Sequence, residues 1–130
     1  MINYLSLAAG GALGTIFRFV LINTTVQYFR SPLFPWGTLI VNLSGSLIIG
    51  ILAGLNESDL LNPGIRTFLF IGLLGGFTTF SSFSLETLQL LRQSQLSYAI
   101  LYVLSSTLLG LGLAALGFFA GKWLMQFSAN

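Results

Sequence analysis

The sequence contains neither cysteine nor histidine, and only three of its 130 residues are Asp or Glu. The absence of cysteine excludes disulfides and thiol chemistry, and the two absences together exclude the usual zinc site and a histidine proton relay. With so few carboxylates, almost no catalytic machinery can be assembled, so we expect a protein that is not an enzyme. The net charge of +2 is too small and too scattered to indicate a nucleic-acid-binding surface.

Apolar side chains dominate the chain instead. Hydrophobic residues make up 55% of it and charged residues 6%, and the mean hydropathy is +0.90. A soluble domain of this length cannot bury so much apolar surface, so we expect lipid around it. Because a helix needs roughly 20 apolar residues to cross a bilayer, the sequence predicts an all-α membrane protein. Its four predicted spans are Leu5–Gln27, Trp36–Leu55, Ile65–Leu91 and Leu96–Leu124.

Turn-forming residues separate these predicted spans. They are Arg30-Ser31-Pro32 with Pro35, the segment from Asn56 to Pro63-Gly64, and Arg92-Gln93-Ser94-Gln95. The first span does not fit a secretory signal, because no basic segment precedes it, its apolar stretch is too long, and it contains Arg18. We therefore expect one four-span transmembrane domain over residues 1–130, in the cell membrane, with no domain outside it.

The basic residues give almost no preferred orientation. With the N-terminus on side one, that side receives Arg66 and Lys122, and side two receives Arg30 and Arg92. Lys and Arg normally accumulate on the cytoplasmic side of a membrane protein. The balance either arises by chance, or the chain inserts in both directions and pairs with an inverted copy. We favour the antiparallel dual-topology dimer over a parallel assembly, because four spans alone can hardly enclose a pathway.

Small and polar residues recur every four positions in three spans, which keeps them near one face of each helix. Span two carries Thr38, Asn42, Ser46, Gly50 and Gly54; span one carries Gly10, Gly14 and Arg18; span four carries Tyr102, Ser106, Gly110 and Ala114. The small residues predict close helix packing. Tyr102 and Ser106 either line a polar track or bond to the backbone one turn away.

Asn42 and Arg18 require more than packing. An amide in hydrocarbon is costly without a partner or water, so Asn42 either joins two helices or faces a polar pathway. Arg18 lies about fourteen residues into the first span, too deep for easy snorkelling to the surface. It is a functional residue, or an anchor beside a thin or water-filled vestibule. In either case its positive charge favours anions near the membrane interior.

The third span is polar and rich in glycine over residues 75–84. As one helix, Ile65–Leu91 would be about 40 Å long, against a hydrocarbon core of roughly 30 Å. A break near Gly75–Ser82 would resolve the excess, and Gly75-Gly76 would tolerate non-helical dihedrals cheaply. Such a break offers free carbonyls to a small cation and free N–H groups to an anion. The alternative is a kinked helix whose Ser and Thr side chains bond their own backbone.

Two aromatic residues within this polar segment, Phe80 and Phe83, lie on one helix face. They pack as ordinary membrane aromatics, or they turn their electropositive ring edges toward a partly dehydrated anion. Glu86 lies one turn further on, where we expect hydroxyl or Arg partners, or a wet vestibule, to satisfy its carboxylate.

Motifs in three spans together resemble those of the Fluc (CrcB) fluoride channels. They are Gly75-Gly76-Phe77-Thr78-Thr79-Phe80-Ser81-Ser82-Phe83-Ser84, Gly37-Thr38-Leu39-Ile40-Val41-Asn42, and Gly10-Gly11-Ala12-Leu13-Gly14 followed by Arg18-Phe19. The resemblance extends over the whole chain and includes its length, its four spans and its balanced charge. It implies a passive channel that exports toxic fluoride. It also implies an antiparallel homodimer, or a pair with a sister subunit, with two pores.

The resemblance further implies roles for individual residues. Phe80 and Phe83 would present ring edges to fluoride, and Asn42 would donate its amide hydrogens. Additional polar lining would come from Thr38, Ser81, Tyr102 and Ser106, and Arg18 would line an electropositive vestibule. A structural sodium ion on the dimer two-fold axis would be bound by the backbone carbonyls of Gly75 and Thr78 from both chains. Some family members carry hydroxyl residues where this chain has Gly110 and Ala114, so these two positions receive no role.

Two other functions fit parts of the pattern. A small multidrug-type antiporter also has four spans and dual topology. It needs a membrane-embedded carboxylate, however, typically in span one, and here Glu86 in span three is the only candidate. An accessory subunit of a larger complex would account for the glycine-rich faces, but it would leave Arg18, Asn42 and the polar run without a purpose.

Overall fold

The computed structural model describes residues 4–30, 33–57, 59 and 61–128. Among these residues, four helices are long and apolar enough to cross a membrane: Tyr4–Phe29, Trp36–Leu55, Pro63–Arg92 and Leu96–Phe127. These helices are spans one to four, and they coincide with the predicted spans to within a few residues at each end. Ser31 and Pro32 of the first predicted connector, and Ser58 and Leu60 of the second, lie outside the described residues.

Spans one and two are continuous α-helices, whereas spans three and four change their helical form along the way. Span three begins as an α-helix over Pro63–Arg66, widens to a π-helix over Thr67–Leu73, and continues as α-helices over Leu74–Phe77 and Phe80–Arg92. Its start is capped by Asn62, whose Oδ1 accepts the Ile65 N–H at 2.9 Å. Span four is α-helical over Leu96–Leu104, π-helical over Ser105–Leu109 and α-helical over Gly110–Ser128.

Glycines bring spans two and four into backbone contact. A Cβ added at Gly50 or Gly54 would collide with a carbonyl oxygen of span four, that of Ala114 or Phe118. A Cβ at Gly117 or Gly121 would in turn collide with a carbonyl oxygen of span two. The predicted packing role of Gly50 and Gly54 is therefore confirmed.

A second glycine seam joins span one to the first part of span three. Gly10 and Gly14 leave no room for a side chain against the backbone of residues 68–77; Gly76 is similarly tight against span one, and Gly72 is also close to it, though less tight. Gly75 does not belong to this seam, because a Cβ there would meet nothing within 4 Å. Close approach of glycine faces is a usual basis of helix association in lipid, where hydrophobic driving force is absent.

Two exposed ion pairs lie at side one. Lys122 Nζ is 2.8 Å from Glu57 Oε1, and Arg66 Nη1 is 3.2 Å from Asp59 Oδ1. Both carboxylates follow span two, so the pairs connect this loop to spans three and four. Exposed pairs of this kind stabilise a fold by at most about 1 kcal/mol each.

The substitution Gly117→Ala should lower the free energy of unfolding by about 1–3 kcal/mol, because its methyl group would displace the backbone of span two. Gly112→Ala is the matched control in the same helix, since a Cβ there meets nothing within 4 Å. This control should remain within about 1 kcal/mol of the wild type. Thermal unfolding in detergent measures both, and equal stability of the two variants would contradict the close packing of spans two and four.

Candidate functional site

Span three is broken at Thr78 and Thr79, whose backbones are extended (φ −81°, ψ 158° and φ −149°, ψ 119°). The predicted break is confirmed, but its attribution to glycine is wrong. Gly75 and Gly76 are helical, and no described glycine has a positive φ. Threonine is β-branched and suits extended backbone, and Thr79 also caps the helix that follows. Its Oγ1 accepts the Ser82 N–H at 3.2 Å.

The side chain of Asn42 in span two stabilises this break through two hydrogen bonds. Its Nδ2 donates to the Thr79 carbonyl at 3.0 Å, and its Oδ1 accepts the Thr79 N–H at 2.8 Å. The Asn42 oxygen thus replaces the helical acceptor that the Thr79 N–H has lost, and the Asn42 nitrogen adds a donor to the carbonyl of this N-cap residue. The prediction that Asn42 joins two helices is confirmed. An amide nitrogen carries two hydrogens, and the bond to Thr79 uses one of them.

The break changes what the neighbouring backbone groups can bind. In a continuous helix the Thr79 N–H would donate to the Gly75 carbonyl, so its bond to Asn42 deprives that carbonyl of its helical donor. The Thr78 carbonyl accepts a long bond of 3.4 Å from Arg18 Nη1. A cationic side chain from span one therefore lies at the negative end of a helix dipole. The break thus offers acceptors that a positive charge can use.

A cavity of about 400 Å³ opens beside the break, between spans two, three and four. Asn42, Gly75, Thr78, Phe80, Phe83 and Ser106 contribute to its wall. The rings of Phe80 and Phe83 are 5.6 Å apart between centroids, with their planes tilted by 43°. The Ser106 Oγ is buried and has no hydrogen-bond partner among the described residues. Uncommitted donors and aromatic rings therefore meet at this cavity.

Glu86 accepts two hydrogen bonds from buried hydroxyls. Thr38 Oγ1 donates to Oε1 at 2.7 Å, and the Tyr102 hydroxyl donates to Oε2 at 2.6 Å. The expected hydroxyl partners of Glu86 are thus confirmed. Thr38 is 2% exposed and Tyr102 is fully buried, so both hydroxyls that bond the carboxylate lie in the protein interior.

A second cavity, of about 320 Å³, lies toward side two and is lined by Thr38 and Glu86. Tyr102 connects it to the first cavity. Its ring centroid is 5.2 Å from that of Phe83, and its hydroxyl bonds Glu86. A continuous chain of side chains therefore joins the two cavities.

The predicted site residues fall into three groups. Asn42, Phe80, Phe83 and Ser106 meet at the first cavity, together with Gly75 and Thr78. Thr38 and Tyr102 surround Glu86 instead. Ser81 and Arg18 line neither of these two cavities. Ser81 is exposed, with its Oγ 3.2 Å from Thr79 Oγ1.

The sequence analysis assigned no role to Thr79 or Thr107. Thr79 could have been found, because Thr is a preferred N-cap residue and here it directly precedes the apolar face of Phe80 and Phe83. Thr107 lines the first cavity within the π-helical turn of span four. Hydroxyl residues at 105–107 interrupt the apolar run there, but they do not indicate the turn, because Ser and Thr also occur in regular membrane helices.

Four helices that can cross a membrane define a small multi-pass membrane protein. One of them is broken at mid-span, and the Asn42 amide bonds the backbone at the break. Residues 5–118 match the profile of a family described as CrcB-like protein, Camphor Resistance (CrcB). The chain belongs to this family, so the family predicted by resemblance is confirmed.

Curated relatives match nearly the whole chain. A protein of Methylobacillus flagellatus is 45% identical over 127 residues, which covers 97% of this chain and 99% of the relative. One of Thermus thermophilus is 47% identical over 93% of this chain and 96% of its own length. One of Rhizobium meliloti is 42% identical over 97% of this chain and 98% of its own length. All three are named fluoride-specific ion channel FluC.

Proposed function

We propose that this protein is a fluoride-selective ion channel through which fluoride leaves the cell passively, and that it is not an enzyme. The observation that carries the proposal is the 45% identity, over 97% of this chain, with a protein named as a fluoride-specific ion channel. The cavity at the broken span would supply the route, because it lies at mid-span and carries the Ser106 hydroxyl, which bonds no group among the described residues. A passive route needs no coupling carboxylate, in keeping with only three Asp and Glu in the chain.

Fluoride is small and strongly hydrated, so its site must replace water with several directed donors. The second amide hydrogen of Asn42 and the hydroxyl of Ser106 are such donors at the first cavity. Phe80 and Phe83 add the electropositive edges of their rings. Arg18, close to the break, contributes positive charge to the approach. Chloride is larger, and we expect a narrow pore to exclude it.

Three predicted lining residues take secondary places in this route. The hydroxyl hydrogens of Thr38 and Tyr102 are bonded to Glu86, so fluoride would have to compete with a carboxylate for them. We place them at the second cavity, further along the path. Ser81 is exposed and would meet fluoride only on a surface that a second subunit covers.

The channel would act as an antiparallel dimer, either of two identical chains or with a sister subunit. Phe80 lines the first cavity and yet is 79% exposed, so a single chain leaves one side of the route open. A second copy in the inverted orientation would close it and would produce two equivalent pores. The balanced distribution of Lys and Arg supports insertion in both orientations.

Insertion in both orientations is testable with Ser94→Cys, because the chain has no other cysteine. Ser94 is exposed in the connector before span four. A membrane-impermeant maleimide applied to intact cells should label about half of the chains if both orientations are populated. Permeabilised cells should give complete labelling, and Val41→Cys at a fully buried position should stay unlabelled. Labelling of all or none of the chains in intact cells would contradict dual topology.

A structural sodium ion fits the acceptors at the break. No three His, Cys, Asp or Glu side chains come together in the described ranges, so a cation there would be held by backbone carbonyls. Gly75 contributes one that has lost its helical donor. Thr78 contributes another, which already accepts from a cationic side chain. Oxygen ligands of this kind suit a small hard cation, and bound sodium would be coordinated by the carbonyl oxygens of two subunits.

Removing sodium should therefore destabilise the dimer. A ligand that binds only the folded protein raises its free energy of unfolding. This stabilisation grows with the logarithm of the ligand concentration once that concentration exceeds the dissociation constant. Exchange of sodium for N-methyl-D-glucamine should lower the unfolding temperature and increase the fraction of monomer, and returning sodium should reverse both. Thermal unfolding and light scattering measure these changes. If both are unchanged after exhaustive exchange, the sodium site does not exist.

The two rival functions have less support. An antiporter needs a carboxylate that is free to exchange protons for its substrate, whereas both oxygens of Glu86 are bonded to buried hydroxyls. The relatives are named as ion channels, which does not favour an antiporter. An accessory subunit would pass no ion when purified alone.

Fluoride efflux from liposomes that contain only the purified protein tests the function directly. The wild type should release fluoride rapidly and chloride not at all. Phe80→Ile and Phe83→Ile should each reduce fluoride flux at least about tenfold, since isoleucine keeps the hydrophobicity but has no ring edge. Phe119→Ile, at an exposed position in span four, is the matched control and should keep wild-type flux. Full flux in both site variants would overturn the role of the rings.

A further inference from the structure

Three consecutive residues with hydroxyl groups, Ser105, Ser106 and Thr107, begin the π-helical turn of span four. The helix is α-helical on both sides of this turn. Single π-turns inside α-helices are uncommon and disturb the regular hydrogen-bond ladder, and they often occur at functional sites. This one lies beside the first cavity, which Ser106 and Thr107 line.

The two outer hydroxyls bond to the preceding turn of the backbone. Ser105 Oγ donates to the Leu101 carbonyl, and Thr107 Oγ1 donates to the Val103 carbonyl at 2.7 Å, with Leu104 at 3.3 Å. Bonds of this type are the usual fate of Ser and Thr in membrane helices. Thr24, Thr78, Ser84 and Thr87 form them elsewhere in the chain.

Ser106 is the exception within this turn. The corresponding acceptor for its hydroxyl is the Tyr102 carbonyl, four residues earlier. That carbonyl already faces the Ser105 N–H and, at 3.5 Å, the Ser105 Oγ. The Ser106 Oγ is left buried and without a partner among the described residues. A buried hydroxyl without a partner is costly unless a ligand or water completes it.

We propose that Ser105 and Thr107 are positioning residues of the channel. By occupying the carbonyls of the preceding turn, their hydroxyls hold the wide turn and prevent Ser106 from bonding its own backbone. The Ser106 hydroxyl therefore stays unbonded beside the cavity, available to an anion. This inference rests on the proposed function, in which Ser106 donates to fluoride, and it adds two residues that act through Ser106.

A double-mutant cycle tests the proposal in liposomes containing the full-length protein. The variants are Ser105→Ala with Thr107→Val, Ser106→Ala alone, and all three substitutions together. Thr107→Ser retains the hydroxyl, and Thr24→Val removes an equivalent backbone bond in span one, away from the cavity. Fluoride efflux is measured for each variant, and thermal unfolding shows which variants remain folded.

The variant Ser105→Ala with Thr107→Val and the variant Ser106→Ala should each reduce fluoride flux about two- to tenfold, the effect of one lost hydrogen bond. The triple variant should be no slower than either, because all three act through one hydroxyl. Thr107→Ser and Thr24→Val should keep wild-type flux. If the variant Ser105→Ala with Thr107→Val fails to fold, Thr107→Val alone is compared with Thr107→Ser. Equal fluoride flux in these two variants overturns the proposal.

Two further outcomes contradict the proposal in different ways. Reductions that multiply in the triple variant would show that Ser105 and Thr107 act independently of Ser106, which refutes positioning while the channel function stands. Absence of fluoride efflux from the wild type would refute the channel function itself, and the positioning role with it.

Discussion

The pair of hydrogen bonds between the Asn42 side chain and the Thr79 backbone is the constraint on which the rest of the site depends. In hydrocarbon there is no water to satisfy a backbone group that leaves a helix, and each unsatisfied group costs several kcal/mol. Asn42 accepts the Thr79 N–H, which has lost its helical acceptor, and also donates to the Thr79 carbonyl, and so permits an extended segment at mid-span. The freed Gly75 carbonyl, the restart of the helix at Phe80 and the direction of both phenylalanine rings follow from that segment.

The glycine seams hold the two helix pairs that carry Asn42 and the break, and Gly45 lets these pairs meet, because a Cβ there would collide with Thr78 Cγ2. Span four packs on span two through backbone contact, and the first part of span three packs in the same way on span one. Helices that approach so closely leave little freedom of rotation, so polar side chains keep their position without a large core. This arrangement suits a chain of 130 residues, which has few buried side chains to spare for positioning a site.

Much of this structure could be predicted from the sequence, and the remainder could not, for physical reasons. The spans follow from the length of the apolar runs, and the packing role of Gly50 and Gly54 follows from their spacing of four. The break and its position within Gly75–Ser82 were predictable, but not the residues that produce it. Glycine permits a break, whereas two β-branched residues and a capping oxygen on Thr79 produce it here. The partner of Asn42 lies 37 residues away, and no local pattern reveals a contact at that distance.

The sequence also does not distinguish hydrogen-bond donors that are free from donors that are already bonded to a protein group. Thr38, Tyr102 and Ser106 all appear in the sequence as hydroxyls on spaced helical faces. In the structure the first two donate to Glu86, and the third donates to nothing described. In the proposed channel, an anion entering the first cavity would therefore meet an uncommitted hydroxyl and an amide hydrogen, whereas further along it would meet donors already bonded to a carboxylate. Because strongly hydrated ions need several free donors to replace water, the first cavity is where we expect dehydration to be best compensated. At the second cavity the anion would have to compete for its partners.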